Sequence, residues 1–267
     1  MENFNNKVVI ITGASEGIGR ALSLKFAEQK AKVVIAARNE KRLNELKTEI
    51  ESIGANALVV PMDVTDKDAC KNLIDSAVDE YGQIDILITN AGRTMWTPFE
   101  DIQDLSIFKQ IMDLNYLGCV YCTYYALPYL KKTKGQIVGV SSVAGLNGVP
   151  SRTAYSASKH ALFGFFDSLR IELKDTRVSV TMIAPDFVLS EIHKRALDGL
   201  GNPLGTSPLQ ESKIMTAEEC AVLIMGAIEK RDRLLITSLR GKLGRWMKLI
   251  VPSVVDNIAA KAIKEAK

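Results

Sequence analysis

The chain has 267 residues, 47% of them hydrophobic and 24% charged, with a formal net charge of +3. This is an ordinary globular composition, and so small a charge offers no strongly basic face for nucleic acid. Four scattered cysteines, Cys70, Cys119, Cys122 and Cys220, exclude a disulfide framework.

Met1 to Lys7 is polar and runs straight into a strand, without the charged and apolar regions of a secretion signal. No stretch reaches the ~18 consecutive apolar residues of a membrane span, so a cytoplasmic location is expected. Val8–Thr12, Lys32–Ala37, Ala57–Pro61, Ile84–Thr89, Gln136–Ser141 and Ser179–Ala184 are short runs rich in Val and Ile. Such runs suit strands buried on both faces, as in a parallel sheet. Helical stretches such as Ala21–Gln29, Glu40–Ser52 and Lys67–Tyr81 alternate with them. This alternation predicts an α/β fold in one domain, a doubly wound parallel sheet with helices on both faces.

Residues 1–189 would hold the nucleotide-binding and catalytic core. Residues 190–215 carry several Gly and Pro and read as a mobile substrate lid with a short helix at its start. Thr216 and Glu219 have capping-box spacing before a helix over Ala217–Glu229, and Leu234–Thr237 would be a last strand. Cys119 and Cys122 form a C-x-x-C inside an apolar, helically spaced segment. A lone pair lacks the further ligands of a zinc site, so buried core thiols are expected. Neither His160 nor His193 stands at metal-ligand spacing from a carboxylate, and no metal is expected.

Strand one leads into Thr12-Gly13-Ala14-Ser15-Glu16-Gly17-Ile18-Gly19, and a helix follows at once. Glycines let such a turn approach a pyrophosphate, and the helix N-terminus faces the anion. With this G-x-x-x-G-x-G spacing the chain resembles the short-chain dehydrogenase/reductase family, a Rossmann-type fold, across Thr12 to Ser190. Asn90-Ala91-Gly92 matches the family's N-A-G element. Asp63, followed by Val64, stands where the family contacts adenine. An NAD-type carboxylate is missing at the end of strand two, where Ala37 is followed by Arg38. A guanidinium can pair with a 2′-phosphate, so NADP(H) is expected. NAD(H) is the alternative, because Glu16 lies nearby and Arg38 could be a solvated loop charge.

Tyr155 and Lys159 are four residues apart in a helical stretch and share a face. A tyrosine of pKa ~10 is a poor acid/base near neutrality, and a neighbouring cation should lower it. The resemblance implies that Tyr155 is the acid/base, that Lys159 tunes it and binds the nicotinamide ribose, and that Asn115 holds a relay water. Ser142, thirteen residues before Tyr155, would bind the substrate oxygen; Ser141 is its competitor. The family's P-G-x-V-x-T is here Pro185-Asp186-Phe187-Val188-Leu189-Ser190. Pro185, Val188 and Ser190 keep positions beside the nicotinamide, and Asp186 replaces glycine in a turn that Asp should tolerate.

Val143, Leu146, Val149, Pro150, Phe187, Val188 and Leu189 could make the substrate pocket apolar, suiting a hydrophobic ketone or secondary alcohol. An NAD-dependent alcohol or steroid dehydrogenase is the rival activity. A non-catalytic nucleotide-sensing scaffold is the rival of another class. Residues 239–267 form a basic, Trp-bearing amphipathic tail. Such a segment can lie at an anionic membrane, and the tail loosely resembles those of membrane-associated hydroxysteroid dehydrogenase-like members. Docking on the domain or on a dimer partner is the preferred reading, and the resemblance implies a homodimer or homotetramer.

Overall fold

A computed structural model describes residues 4–209 and 214–264. Positions 1–3, 210–213 and 265–267, which include parts of the expected lid and tail, lie outside the described residues. Seven parallel strands form one sheet in the order β3-β2-β1-β4-β5-β6-β7. They are β1 (Val8–Thr12), β2 (Lys32–Ala37), β3 (Asn56–Pro61), β4 (Ile86–Thr89), β5 (Gln136–Val140), β6 (Ser179–Ala184) and β7 (Leu234–Ile236). The helices are α1 (Gly17–Glu28), α2 (Glu40–Ser52), α3 (Lys67–Tyr81), α4 (Ser106–Met112), α5 (Gly118–Thr133), α6 (Thr153–Glu172), α7 (Ala217–Glu229), α8 (Leu239–Ile250) and α9 (Pro252–Lys264).

Successive side chains of a strand point to opposite faces, so β1 contributes to two cores. Val9 and Ile11 pack with Phe26, Leu43 and Ile224, which puts α1, α2 and α7 on one face. Val8 and Ile10 pack with Leu73, Ala126 and Phe166, which puts α3, α5 and α6 on the other. Gly139 in β5 makes room for Phe166, whose Cε2 would lie 2.5 Å from an added Cβ. Cys119 and Cys122 are buried in the second core, and burial pushes the Cys119 thiol up to about 11. These are inert packing thiols.

Helix starts are set by side chains that accept otherwise orphaned N–H groups. Asn39 caps α2, Asp66 caps α3, and Thr216 with Glu219 forms the expected capping box of α7. One local expectation changes. No helix opens the segment after Ser190; Arg195 N donates to Glu191 O in a single turn. The chain is instead pinned by Leu197, whose N–H donates to Thr94 O and whose carbonyl accepts from Trp96 N.

The tail folds as α8 and α9, with Pro252 opening α9, a position that needs no N–H. No helix among the described residues is long and apolar enough to cross a membrane. Helix α8 docks on the domain through Gly241, where a Cβ would meet Val143 and Ile236, and through Lys248, which donates to Leu146 O. Asp186 completes the dock. Its carboxylate accepts from Arg240 Nη2 at 2.6 Å, Arg240 Nε at 3.2 Å and Ser238 Oγ at 2.6 Å. Asp186 has no positive φ, so its presence in place of glycine reflects this anchorage and not a tolerance for unusual backbone angles. Replacing Asp186 with Ala should release the tail, raising hydrogen exchange across 239–250 while the sheet stays protected; unchanged exchange there would refute the anchor.

Candidate active site

The ends of β1 and β4 are joined by side chains. Thr12 Oγ1 accepts from Asn90 N at 3.0 Å and Ala91 N at 3.2 Å, while Asn90 Nδ2 donates to Thr12 O at 3.0 Å and Gly13 O at 3.2 Å. Gly13 and Gly17 take φ of +66° and +53°, which favours glycine. A Cβ on Gly19 would lie 2.4 Å from Gly13 O and one on Gly13 would lie 2.8 Å from Ala91 Cα, so the turn closes only without those side chains. Glu16, at the N-cap of α1, makes no side-chain hydrogen bond to the helix. The first amides of α1 are thereby left for an anion.

A cavity of about 730 Å³ runs from this turn over the carboxyl ends of the strands. Gly13, Ser15, Glu16, Gly17, Ile18, Arg38, Asp63, Val64, Asn90, Ala91, Gly92, Pro185, Val188 and Ser190 line it, with Ser142, Tyr155 and Lys159. The glycine cradle, the uncapped helix and this length of cleft fit a dinucleotide. Gly19 and Asn115 do not line the cleft; Gly19 permits the turn and Asn115 lies behind it. Among the described residues no cluster of three or more His, Cys, Asp or Glu could hold a metal.

Tyr155 and Lys159 project from one face of α6, with Lys159 Nζ 5.7 Å from the phenol ring centre and donating to Val140 O at 2.9 Å. Burial lowers the ammonium to about 8, so it still carries most of its charge at neutral pH. Burial also raises the Tyr155 pKa, opposed by the charge of Arg152 and by a hydrogen bond with Ser142. The expected lowering by Lys159 is therefore not seen. Desolvation outweighs the neighbours, and the cation acting on the phenol is Arg152.

The two serines separate clearly. Ser141 Oγ donates to Lys159 O at 2.9 Å and anchors α6, whereas Ser142 Oγ faces Tyr155 and accepts from Ala144 N at 3.1 Å. Asn115 sits in a π-helical turn, Asp113–Leu117, between α4 and α5. Its Oδ1 accepts from Arg93 N at 2.8 Å, and its Nδ2 donates to Arg93 O and Ser158 Oγ, both at 2.9 Å. A Cβ on Gly92 would lie 3.3 Å from Asn115 Oδ1 and 3.5 Å from Lys159 Nζ, so these two groups converge behind the N-A-G turn.

Of the expected apolar lining, Val143, Val149, Pro150, Phe187 and Val188 face the cavity, whereas Leu146 and Leu189 do not. Leu146 turns its carbonyl to Lys248, and Leu189 is solvent-exposed. The tail supplies lining that sequence reasoning missed, including Leu243, Met247 and Ile258. Also missed were Arg152 and Trp96; Arg152 is the residue before α6, and its placement beside Trp96 and Tyr155 comes from the tertiary fold. His193 is buried at this end, neutral because burial lowers it to about 4, while His160 is exposed and contacts Ser156 O.

Residues 7–200 match the family model for short chain dehydrogenases. The chain is 37% identical over 269 residues to a dehydrogenase/reductase SDR family protein 7-like of Dictyostelium discoideum, covering 97% of this chain and 82% of the relative. It is 33% identical to 11-beta-hydroxysteroid dehydrogenase 1A of Arabidopsis thaliana, covering 96% and 75%. A short-chain dehydrogenase/reductase from Burkholderia phymatum, crystallised in complex with NAD, superposes with a TM-score of 0.85 over 95% of this chain and 96% of that one. At 24% identity that likeness speaks for the fold. The chain is an oxidoreductase of the short-chain dehydrogenase/reductase family.

Proposed function

We propose that the protein is an NADP(H)-dependent reductase that converts a hydrophobic ketone to a secondary alcohol. The observation that carries this reading is the convergence of Tyr155, Ser142 and Lys159 on one wall of a cleft whose far end is a phosphate-type glycine turn. A nicotinamide held by the glycine turn, Asn90 and Lys159 would supply the hydride. Tyr155 delivers the proton to the carbonyl oxygen, and Ser142 donates a hydrogen bond to the same oxygen as its charge develops. Lys159 holds positive charge beside the phenol, and Asn115 steadies the relay behind it. Wall residues Val143, Val149 and Phe187, with the tail's Leu243 and Met247, exclude water around an apolar substrate body. Relatives named as hydroxysteroid dehydrogenases support a ketone or alcohol on a large apolar frame.

The preference for a 2′-phosphate is supported by the charges at the end of β2. Arg38 is half-exposed, 3.6 Å from Asp63, and Arg42 and Arg195 both pair with Glu16. Arg93 lies close enough that Arg38 and Arg195 help lower its pKa, after burial. Four guanidinium groups thus face two carboxylates, and the repulsion that Glu16 alone would exert on a phosphate is answered. The NAD-dependent reading lacks the carboxylate at Ala37 that would favour a free ribose hydroxyl.

Tyr155→Phe should lower kcat by about 10²–10⁴-fold in NADPH-dependent ketone reduction and leave NADPH binding nearly intact, because only the proton donor is removed. Substantial residual turnover would reject the role. Arg38→Gln should weaken NADPH by about 10–100-fold, the worth of one charge-assisted contact, and leave NADH little changed. Steady-state constants for both cofactors decide this, and an equal loss for the two would remove the 2′-phosphate assignment.

A further inference from the structure

The substrate end of the cavity holds a cation that the reaction above leaves without a ligand. Arg152 precedes α6, lines the cavity and is 5% exposed. Its guanidinium carbon lies 4.2 Å from the Trp96 ring centre and 5.1 Å from that of Phe187. Aromatic faces hold the charge, but they offer nothing to the N–H groups at its edge. Nε and Nη2 are fully buried and have no hydrogen-bond partner among the described residues.

Among the described residues the neighbouring groups make no hydrogen bond that answers the charge. Asp186 is committed to Arg240 and Ser238. His193, packed 5.9 Å from Phe187 ring to ring, is neutral at ordinary pH, and its Nδ1 is likewise buried without a partner. Lys159 adds a second positive charge beside Tyr155. The same cavity is lined by the apolar side chains of Val143, Val149, Leu243, Met247 and Ile258.

We propose that Arg152 recognises an anionic oxygen group, a carboxylate or a phosphate, on an otherwise apolar ketone. Its guanidinium stands 5.8 Å from the Tyr155 ring centre, which puts the anion a few bonds from the reacting carbonyl. A planar fork matches two oxygens of such a group, and an arginine already clamped between rings loses little freedom on binding it. The substrate class is thus an amphipathic keto acid or keto phosphate, with its tail against α8 and α9. This rests on the reductase reading and narrows it.

The test uses matched pairs with the full-length protein and NADPH: a γ-keto fatty acid with its methyl ester, and an α-phosphooxy ketone with its free alcohol. The wild type should favour the anion in at least one pair by about 10–100-fold in kcat/KM. Which pair shows the preference separates carboxylate from phosphate. Arg152→Gln should abolish that ratio and Arg152→Lys should keep part of it, with thermal stabilisation by NADPH showing that each variant folds. Ligand-induced change of tryptophan fluorescence, with Trp96 against Arg152, reads the same preference without turnover. Neutral ketones reduced as well as their anionic partners, or an anion preference that survives Arg152→Gln, would make Arg152 a packing cation and overturn the proposal. Binding that favours the anion without any reduction would sink the reductase reading and leave the anion site standing.

Discussion

The seam between β1 and β4 carries the geometry on which everything else depends. Sheet order reverses there, so the crossovers leaving the two strands pass to opposite faces and a crevice opens above their carboxyl ends. Thr12 and Asn90 tie the two strand ends together, and the missing side chains of Gly13 and Gly19 let the backbones meet. A side chain at either glycine would have to displace backbone, which the paired strands cannot yield cheaply. The amides of α1 and the N-A-G turn are therefore held in one place, and α6 is built relative to that floor.

From β5 the same logic extends to the chemistry. Ser141 and Ser142 leave the strand in opposite directions, one hydroxyl binding the backbone of α6 at Lys159 and the other turning to Tyr155. The adjacent serines therefore divide two tasks, fixing the helix and facing the Tyr155 phenol. Burial then sets the electrostatics. It raises the phenol and lowers the ammonium, so the Tyr155 hydroxyl keeps its proton and Lys159 gives up part of its excess basicity. A protonated phenol is what the proposed reduction requires, since the carbonyl oxygen would take up that proton.

Much of this was legible because local patterns carry it. Buried Val/Ile runs separated by amphipathic stretches marked the sheet and its helices, and the glycine turn, Asn90, Ser142, Tyr155 and Lys159 sit at fixed spacings from strand ends. What was not legible depends on partners far along the chain. Arg152 carries no signal of its own in the sequence, because its setting is made by Trp96 and Phe187, which stand far from it along the chain. Glu16 looked hostile to a phosphate until Arg42 and Arg195 arrived from α2 and the segment after β6. The tail's amphipathic pattern was clear, but a pattern of that kind does not say which surface will receive it. The short helix expected after Ser190 failed for a similar reason, since pairing of Leu197 with Thr94 and Trp96 holds that stretch in turns and bridges.

Asp186 links the tail to the selectivity of the cavity. One carboxylate lies near two guanidinium groups, and geometry decides between them. Arg240 reaches it with two nitrogens, and Ser238, which caps α8, adds a third donor. A carboxylate so occupied has little left for Arg152, which it affects only through space. Docking the tail therefore does two things through one residue. It brings Leu243, Met247 and Ile258 over the apolar side of the cavity, and it keeps the Asp186 carboxylate away from the buried arginine. A glycine at 186 would free α8 and remove the competing charge together. The departure from the family's glycine is thus coupled to the tail that follows it, and both shape what the cleft can accept.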